Sequence, residues 1–240
     1  MFTMPKGVRA ISFDIWKTLL NGRSSYTWPR LELVFGYVGI LDRGQEAITA
    51  AYKLAEKYWN AQAEITGYDT GMKERIEFVL NELGATDKPV PSDAEIVELQ
   101  KQSGVIRVLP EYLPTLTEPD LIETLTALKQ AGFVIGTLSN TGMGSHDMIN
   151  PVLAHYGLDQ LLDVTLFSSI DGRAKPNPGL FERMAKELGA EPHQVLHVGD
   201  NANADCRATE AGLHVALYVP AGEPDGNQYP FITSMRELVG

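Results

Sequence analysis

The chain of 240 residues is 44% hydrophobic and 21% charged, a composition typical of globular proteins with one large or two small domains. Its formal net charge of −11 at pH 7 makes nucleic acids and anionic membrane surfaces poor partners, because both attract clusters of lysine and arginine. No apolar run approaches the ~20 residues that a membrane span needs, and no signal-peptide pattern follows Met1. The single cysteine, Cys206, excludes an intramolecular disulfide, so we expect a cytoplasmic protein.

Residues 8–13 form a short apolar run, which is typical of a buried parallel strand. Asp14 follows at the carboxyl end of this strand, and Thr18 lies four residues further on. Ligands bind at the carboxyl ends of strands in open α/β sheets, where an aspartate can act as a nucleophile or a metal ligand. Aspartate also caps turns, so this segment alone leaves a purely structural role for Asp14 open.

Residues 21–117 lack the alternation of strands and helices and are predicted to be helical. The spacing of their apolar residues predicts helices over 31–38, 46–65, 73–83 and 93–102. Residues 21–29 and the proline-rich residues 110–119 are expected to be linkers. We therefore predict a helical domain over residues 21–117, inserted into a second domain made of residues 1–20 and 118–240.

From residue 118 onwards the pattern alternates between helix and strand. Predicted helices cover 119–130 (with Thr117 as N-cap), 146–155, 178–188 and 202–211, and predicted strands cover 133–139, 164–168, 195–198 and 214–219. Repeated βα units with short loops predict a parallel sheet with right-handed crossovers. The fold class is therefore α/β, with a Rossmann-like parallel sheet as the core and an inserted α-helical cap domain.

Three later segments place polar side chains at strand ends or just before helices of this predicted sheet. They are Ser139-Asn140, Lys175, and Asp200 with Asp205 five residues on. Because the carboxyl ends of parallel strands meet at one edge, a single crevice can collect all of these side chains together with Asp14.

The order and spacing of these four segments resemble the four motifs of the haloacid dehalogenase superfamily, whose members are mostly phosphatases. The resemblance covers residues 8–20 and 118–220, and it implies that the inserted helices form the cap of that family, closing over the crevice. It implies that Asp14 is the nucleophile, that Ser139 donates a hydrogen bond to a phosphate with Asn140 beside it, and that Lys175 stabilises negative charge.

The same resemblance implies a Mg²⁺ site. Its ligands would be Asp14, the backbone carbonyl of Trp16 and Asp200, with Asp205 as a further partner that orients Lys175 or a metal-bound water rather than binding directly. The expected substrate is a small phosphorylated molecule.

Trp16 departs from the phosphatase pattern. Phosphatases of the family usually have a second aspartate at this position, which acts as general acid to the leaving oxygen and as base to the attacking water. An indole N–H cannot transfer a proton near neutral pH, and general acid–base help is worth on the order of 10² to 10⁴ in rate. The L-2-haloacid dehalogenases also lack this aspartate, but they work without metal and lack the pair seen here as Gly199-Asp200.

Three functions therefore remain. The favoured prediction is a Mg²⁺-dependent phosphatase that forms an aspartyl-phosphate intermediate and is slowed by Trp16. The alternatives are hydrolysis of another bond, such as carbon–halogen, and a non-catalytic binding protein with the same fold. Arg23 and Arg30 are candidate clamps for an anionic group, although surface exposure is the favoured explanation for both. The five histidines show no metal-ligand spacing, and no role is assigned to them.

Overall fold

The computed structural model describes residues 2–222 and 228–240, and eight strands and eight α-helices follow one another within them. The strands are β1 (Ala10–Phe13), β2 (Leu20–Asn21), β3 (Thr115–Leu116), β4 (Val134–Ser139), β5 (Val164–Phe167), β6 (Val195–Gly199), β7 (His214–Tyr218) and β8 (Phe231–Ile232). The helices are α1 (Thr27–Val38), α2 (Gln45–Thr66), α3 (Met72–Glu82), α4 (Asp93–Arg107), α5 (Leu121–Gln130), α6 (His146–His155), α7 (Ser168–Asp171) and α8 (Pro178–Glu187). Among the described helices, none combines the length and the apolarity that crossing a bilayer requires.

Six of the strands form one parallel sheet in the order β5-β4-β1-β6-β7-β8. All four residues of β1 are buried, and its last residue, Phe13, lies opposite Thr137 of β4 and Val198 of β6. The chain continues from β1 to β4 and β5 on one side, and then to β6, β7 and β8 on the other. The end of β1 is therefore the switch point where open α/β sheets bind ligands. The predicted α/β fold with a Rossmann-like parallel sheet is confirmed.

Strands β2 and β3 form a separate antiparallel ribbon, with Leu20 opposite Leu116 and Asn21 opposite Thr115. The chain leaves the sheet domain through one strand of this ribbon and returns through the other, so residues 22–114 form a helical insert. Helices α1 to α4 of the insert enclose their own hydrophobic core, which includes Leu31, Phe35, Ile48, Tyr52, Ile76 and Leu99. The ribbon lies close to the predicted domain boundaries at 20/21 and 117/118, which stay a prediction.

Two helices of the insert are longer than the sequence pattern predicts. Helix α1 begins at Thr27 and includes Pro29, which is tolerated because backbone N–H groups of the first turn have no partner within the helix. Helix α4 continues through Gly104 to Arg107. A Cβ at Gly104 would lie 2.3 Å from the carbonyl oxygen of Asp147, so the close approach of α4 to α6 requires this glycine. Tertiary packing thus overrides its low helix propensity.

Two local predictions in the sheet domain are wrong. Residues 202–211 do not form an α-helix, because a turn precedes a 3₁₀ helix, Cys206–Ala211. The turn is held by the backbone N–H of Asn201, which donates to Asp205 Oδ2 at 3.0 Å, and by that of Asn203, which donates to Asn201 Oδ1 at 2.9 Å. Helix α5 begins at Leu121 rather than 119, and Thr117 does not cap it, since its hydroxyl donates to the carbonyl of Thr18 at 2.8 Å.

Candidate active site

The ammonium of Lys175 lies between two buried carboxylates at the carboxyl edge of the sheet. Its Nζ donates to Asp14 Oδ1 at 2.7 Å and to Asp205 Oδ1 at 2.5 Å, and all three residues are buried. Asp14 directly follows β1, Asp205 lies in the turn after β6, and Lys175 lies between α7 and α8. Burial lowers the pKa of Lys175, but the two carboxylates outweigh it and raise the pKa overall, so the lysine is charged.

Asn140 fixes the segment that holds Lys175. Its Nδ2 donates to the carbonyl of Lys175 at 2.8 Å, and its Oδ1 accepts from the N–H of Lys175 at 2.8 Å. The side chain of Asn140 is therefore used on the backbone of the lysine, which makes it a positioning residue in this geometry.

Asp200 completes a cluster of three carboxylates. Asp14, Asp200 and Asp205 each offer an oxygen within 4.8 Å of the other two. Burial and the carboxylates of Asp14 and Asp205 raise the pKa of Asp200. Burial also raises the pKa of Asp14, where Lys175 opposes the effect and Asp205 adds to it. Three carboxylates sharing one buried lysine leave an excess of negative charge, and carboxylate oxygens are the ligands that Mg²⁺ prefers, so the cluster fits this ion.

A basic side chain lies beside the cluster without filling it. Lys17 Nζ is 3.6 Å from Asp200 Oδ2, but the Lys17 side chain is 78% exposed. Its backbone φ of 61° lies in the left-handed region, which glycine adopts more easily than lysine. The role of the Trp16 carbonyl as a metal ligand stays a prediction.

Asp205 is held by a histidine that the sequence analysis left without a role. His197 Nε2 lies 3.0 Å from Asp205 Oδ1, and its Nδ1 lies 3.0 Å from Ser12 Oγ. Burial lowers the pKa of His197 even though Asp205 opposes the effect, so the ring is neutral, donating from Nε2 and accepting at Nδ1. A signal was available in the sequence, since Ser12 and His197 are polar residues inside apolar runs and lie opposite each other on β1 and β6.

Lys175 and His197 also determine the pKa of Asp205. Burial raises it, but Lys175 and His197 outweigh burial and lower it below the usual carboxyl range, so Asp205 is ionised. Gly199 makes this arrangement sterically feasible, because a Cβ there would lie 2.2 Å from Asp205 Cγ. The glycine of the Gly199-Asp200 pair is thus required by the approach of Asp205.

Among the buried hydroxyls of the described residues that have no hydrogen-bond partner, two belong to the predicted motif segments. They are Ser139 Oγ, at the end of β4 next to β1, and Thr18 Oγ1. Leaving a buried polar group unsatisfied costs about 1–3 kcal/mol, so a ligand that accepts from these hydroxyls would be stabilised. The position of Ser139 fits its predicted role as a donor to a bound anion.

A cavity of about 320 Å³ lies between the sheet domain and the helical insert. On the sheet side it is lined by Trp16 and Asn140, which belong to the predicted site, and by Asn201, which follows Asp200. On the insert side it is lined by three arginines, Arg30, Arg75 and Arg107. Arg30 therefore lies at the cavity, where an arginine that binds an anionic group has to lie, and is not simply a surface residue.

The family model of haloacid dehalogenase-like hydrolases matches residues 8–212, most of the chain. The chain belongs to this family. The resemblance drawn from the four sequence segments is thereby confirmed.

Relatives of this haloacid dehalogenase-like hydrolase include two kinds of enzyme. A relative from Burkholderia cepacia, (S)-2-haloacid dehalogenase 4A, is 26% identical over 242 residues, covering 98% of this chain and 95% of its own. Glyceraldehyde 3-phosphate phosphatase from Methanopyrus kandleri is 27% identical over 207 residues, covering 86% and 82%. The solved structure of 2-haloacid dehalogenase from Pseudomonas syringae pv. Tomato shares the fold, with a TM-score of 0.65, 18% identity and 96% of each chain covered.

Proposed function

We propose that this hydrolase is a cytoplasmic Mg²⁺-dependent phosphatase that acts on a small phosphorylated molecule. The observation that supports the proposal is the cluster of Asp14, Asp200 and Asp205, whose oxygens lie within 4.8 Å of one another, with the buried Lys175 bonded to two of the three. A dehalogenation that needs no metal gives no reason to hold a third carboxylate at this place, since each added carboxylate raises the free energy of the others' ionised forms.

The metal site would be formed by Asp14, Asp200 and the Trp16 carbonyl, with Asp205 holding Lys175 in place. When bound, Mg²⁺ supplies positive charge that neutralises the oxygens of the phosphoryl group. Two carboxylates already fix the ammonium of Lys175 beside Asp14, where its positive charge would stabilise the phosphoryl oxygens.

Asp14 would act as the nucleophile. One of its carboxylate oxygens attacks phosphorus opposite the leaving oxygen, and the bond from phosphorus to that oxygen breaks to give an aspartyl phosphate. Ser139 donates its unpartnered hydroxyl to the transferred group. Water then hydrolyses the aspartyl phosphate and returns the free carboxylate. Trp16 can neither protonate the leaving oxygen nor activate the water, so turnover is expected to be slow, or the true substrate has a good leaving group.

Hydrolysis of a carbon–halogen bond is the second candidate, and Trp16 is the observation that favours it. Halide leaves without needing a proton, so the missing general acid would cost nothing in that reaction. Asp14 would attack carbon, displace the halide and form an ester that water hydrolyses. The similarity to a 2-haloacid dehalogenase along nearly the whole chain supports this candidate.

Turnover of a mixed panel of phosphate monoesters and 2-haloacids, with Mg²⁺ and with a chelator, tests the proposal. Phosphate release that requires Mg²⁺ and disappears in Asp14→Asn is the expected result. Halide release that is unaffected by the chelator would replace the proposal with the second candidate. No turnover of either class, and no aspartyl intermediate trapped from them, would favour a binding protein.

A further inference from the structure

Three arginines of the helical insert line the cavity, and two of them are linked to a carboxylate, one directly and one through a tyrosine hydroxyl. Arg75 is buried, and its Nη2 lies 3.0 Å from Asp69 Oδ1. Arg30 donates to the hydroxyl of Tyr52, which in turn donates to Glu56. Burial lowers the pKa of Arg30, but Tyr52 and Glu56 outweigh it and raise the pKa overall. A carboxylate of the insert thus already opposes each charge, directly for Arg75 and through the Tyr52 hydroxyl for Arg30.

Arg107 is the exception. Its side chain is on the last turn of α4 and only 8% of the residue is exposed, yet it forms no ion pair with a carboxylate in the part of the chain that the structure describes. Its Nε, like that of Arg30, lacks a hydrogen-bond partner there. Burial lowers the pKa of Arg107 to about 10, which is still high enough for full charge at neutral pH.

Two aromatic rings hold this guanidinium. Its central carbon lies 4.5 Å from the ring centroid of Trp16 and 4.4 Å from that of Tyr26. These cation–π contacts offset part of the cost of burial. Tyr26 is also a side-chain hydrogen-bond partner of Arg107, whereas Nε has no partner among the described residues. The N–H groups that Tyr26 does not use are left for a ligand, and the edge of a guanidinium matches a planar carboxylate with two parallel hydrogen bonds.

We infer that Arg107 is the receptor for a carboxylate group of the substrate. Resting on the proposed hydrolysis at Asp14, this makes the substrate a small organic acid whose other end has the group that Asp14 attacks. The cavity of about 320 Å³ has the volume of about ten waters, which suits an acid of a few carbon atoms. A carboxylate receptor at Arg107 also explains why a tryptophan stands at position 16. Its backbone lies two residues after the nucleophile, and its ring contacts the guanidinium that would bind the carboxylate.

Binding of an unreactive acid tests the receptor independently of catalysis. Labelled glycolate and its neutral analogue glycolamide are titrated by NMR into the full chain, with Mg²⁺ and with a chelator. We expect saturable glycolate binding that Arg107→Met weakens at least tenfold and Arg107→Lys weakens less, because lysine keeps the charge but not the two-bond edge. The matched control is Arg43→Met, which removes an exposed arginine of the same insert and should leave the affinity unchanged.

Equal glycolate affinity in wild type and Arg107→Met, equal affinity for glycolate and glycolamide, or no saturable binding to wild type would each overturn the inference. The Arg107→Lys variant keeps the test decisive if the methionine variant does not fold, since an unchanged affinity for glycolate in the lysine variant would also overturn it.

Kinetics give a second measurement. In the presence of Mg²⁺, Arg107→Met should lower kcat/KM for 2-phosphoglycolate at least tenfold and that for 2-hydroxyethyl phosphate less than threefold. If 2-chloropropionate is turned over instead, it should show the same contrast with 2-chloropropionamide. Equal losses for the charged and neutral members of a pair would contradict the inference. Inactivity of wild type on every compound would refute the proposed function and leave the glycolate titration to decide on Arg107.

Discussion

The side-chain amide of Asn140 is paired with the backbone of Lys175 through two hydrogen bonds of 2.8 Å, one in each direction. Asn140 follows the last residue of β4, whereas Lys175 lies in the connection between α7 and α8. The pair therefore fixes the loop that holds the lysine to the rigid edge of the sheet, next to Asp14.

We predict that Asn140→Ala lowers kcat by about tenfold or more while KM changes less. Misplacing a catalytic group by about 1 Å can cost on the order of 10² in rate, and each lost hydrogen bond costs about 1 kcal/mol. Steady-state kinetics on the substrate found in the panel measure the effect. Asn81→Ala, an exposed asparagine of the helical insert, is the control. Equal kinetics in Asn140→Ala and wild type would show that the Lys175 loop holds its position without this pair.

Asp14→Asn should abolish hydrolysis and leave the fold intact. The amide is nearly isosteric with the carboxylate but is a poor nucleophile, and Lys175 keeps its second partner, Asp205, at 2.5 Å. Activity assays, together with circular dichroism and thermal unfolding, test both parts. Full activity in a folded Asp14→Asn protein would rule out the covalent mechanism.

Mg²⁺ should raise the melting temperature of the wild-type protein. A ligand that binds the folded state stabilises it by RT ln(1 + [L]/Kd), which is about 2.7 kcal/mol at a concentration of 100 Kd. Burial and, after it, repulsion between carboxylates raise the pKa of Asp14 and Asp200, and the ion would relieve the repulsion. Thermal unfolding with a Mg²⁺ series measures the shift, and Asp200→Asn should largely remove it. A shift that is the same in Asp200→Asn and wild type would place the metal elsewhere.

Replacing Trp16 tests whether the missing general acid limits turnover. Trp16→Asp should raise kcat for an unactivated alkyl phosphate at least tenfold, since proton transfer contributes about 10² or more. Trp16→Asn is the matched control, because it makes a similar space but cannot transfer a proton. A lower kcat in both variants, with the proteins folded, would mean that losing the contact between the Trp16 ring and Arg107 costs more activity than a general acid at this position restores.

Asp171 should give the protein a pH-dependent contribution to stability. Burial raises the pKa of Asp171, but the ion pairs with Arg173 and Arg183 outweigh it and lower the pKa below its usual value of 3.8. A carboxyl group whose pKa is lower in the folded state adds to the free energy of unfolding at pH values above its unfolded-state pKa. This contribution is lost as the pH falls through its folded-state pKa. The arginines are partly exposed, so the contribution should be under about 1 kcal/mol.

Urea unfolding of wild type and Asp171→Asn at several pH values checks this. The free energy of unfolding should differ at pH 7, and the difference should shrink as pH falls below 4. A difference that is constant across this range would show that the charge of Asp171 is not its cause. Glu187→Gln, which removes a weaker partner of Arg183 at 3.8 Å, is a control for general charge loss.

The order of strands and helices in the sheet domain followed directly from the sequence, because each βα unit has its own periodicity and end signals. Asp14, Ser139 and Asp200 could likewise be placed at one edge of the sheet because parallel strands end on the same side, whereas Lys175 was placed there by its position just before a helix. Local rules failed at Thr117 and at residues 202–211, where a hydrogen bond to Thr18 and the side chain of Asp205 replaced the expected helical structure.

What only the tertiary structure decided is how side chains of distant segments combine. His197 has no motif, and its role follows from Ser12 lying opposite it in the sheet. Arg107 lies on the last turn of α4, which continues past Gly104 because α4 packs closely against α6 at that glycine. The two aromatic rings that contact Arg107 belong to Trp16 and Tyr26, in two other segments of the chain. Periodicity and spacing describe neighbours along the chain, whereas these charges and contacts depend on which elements pack together.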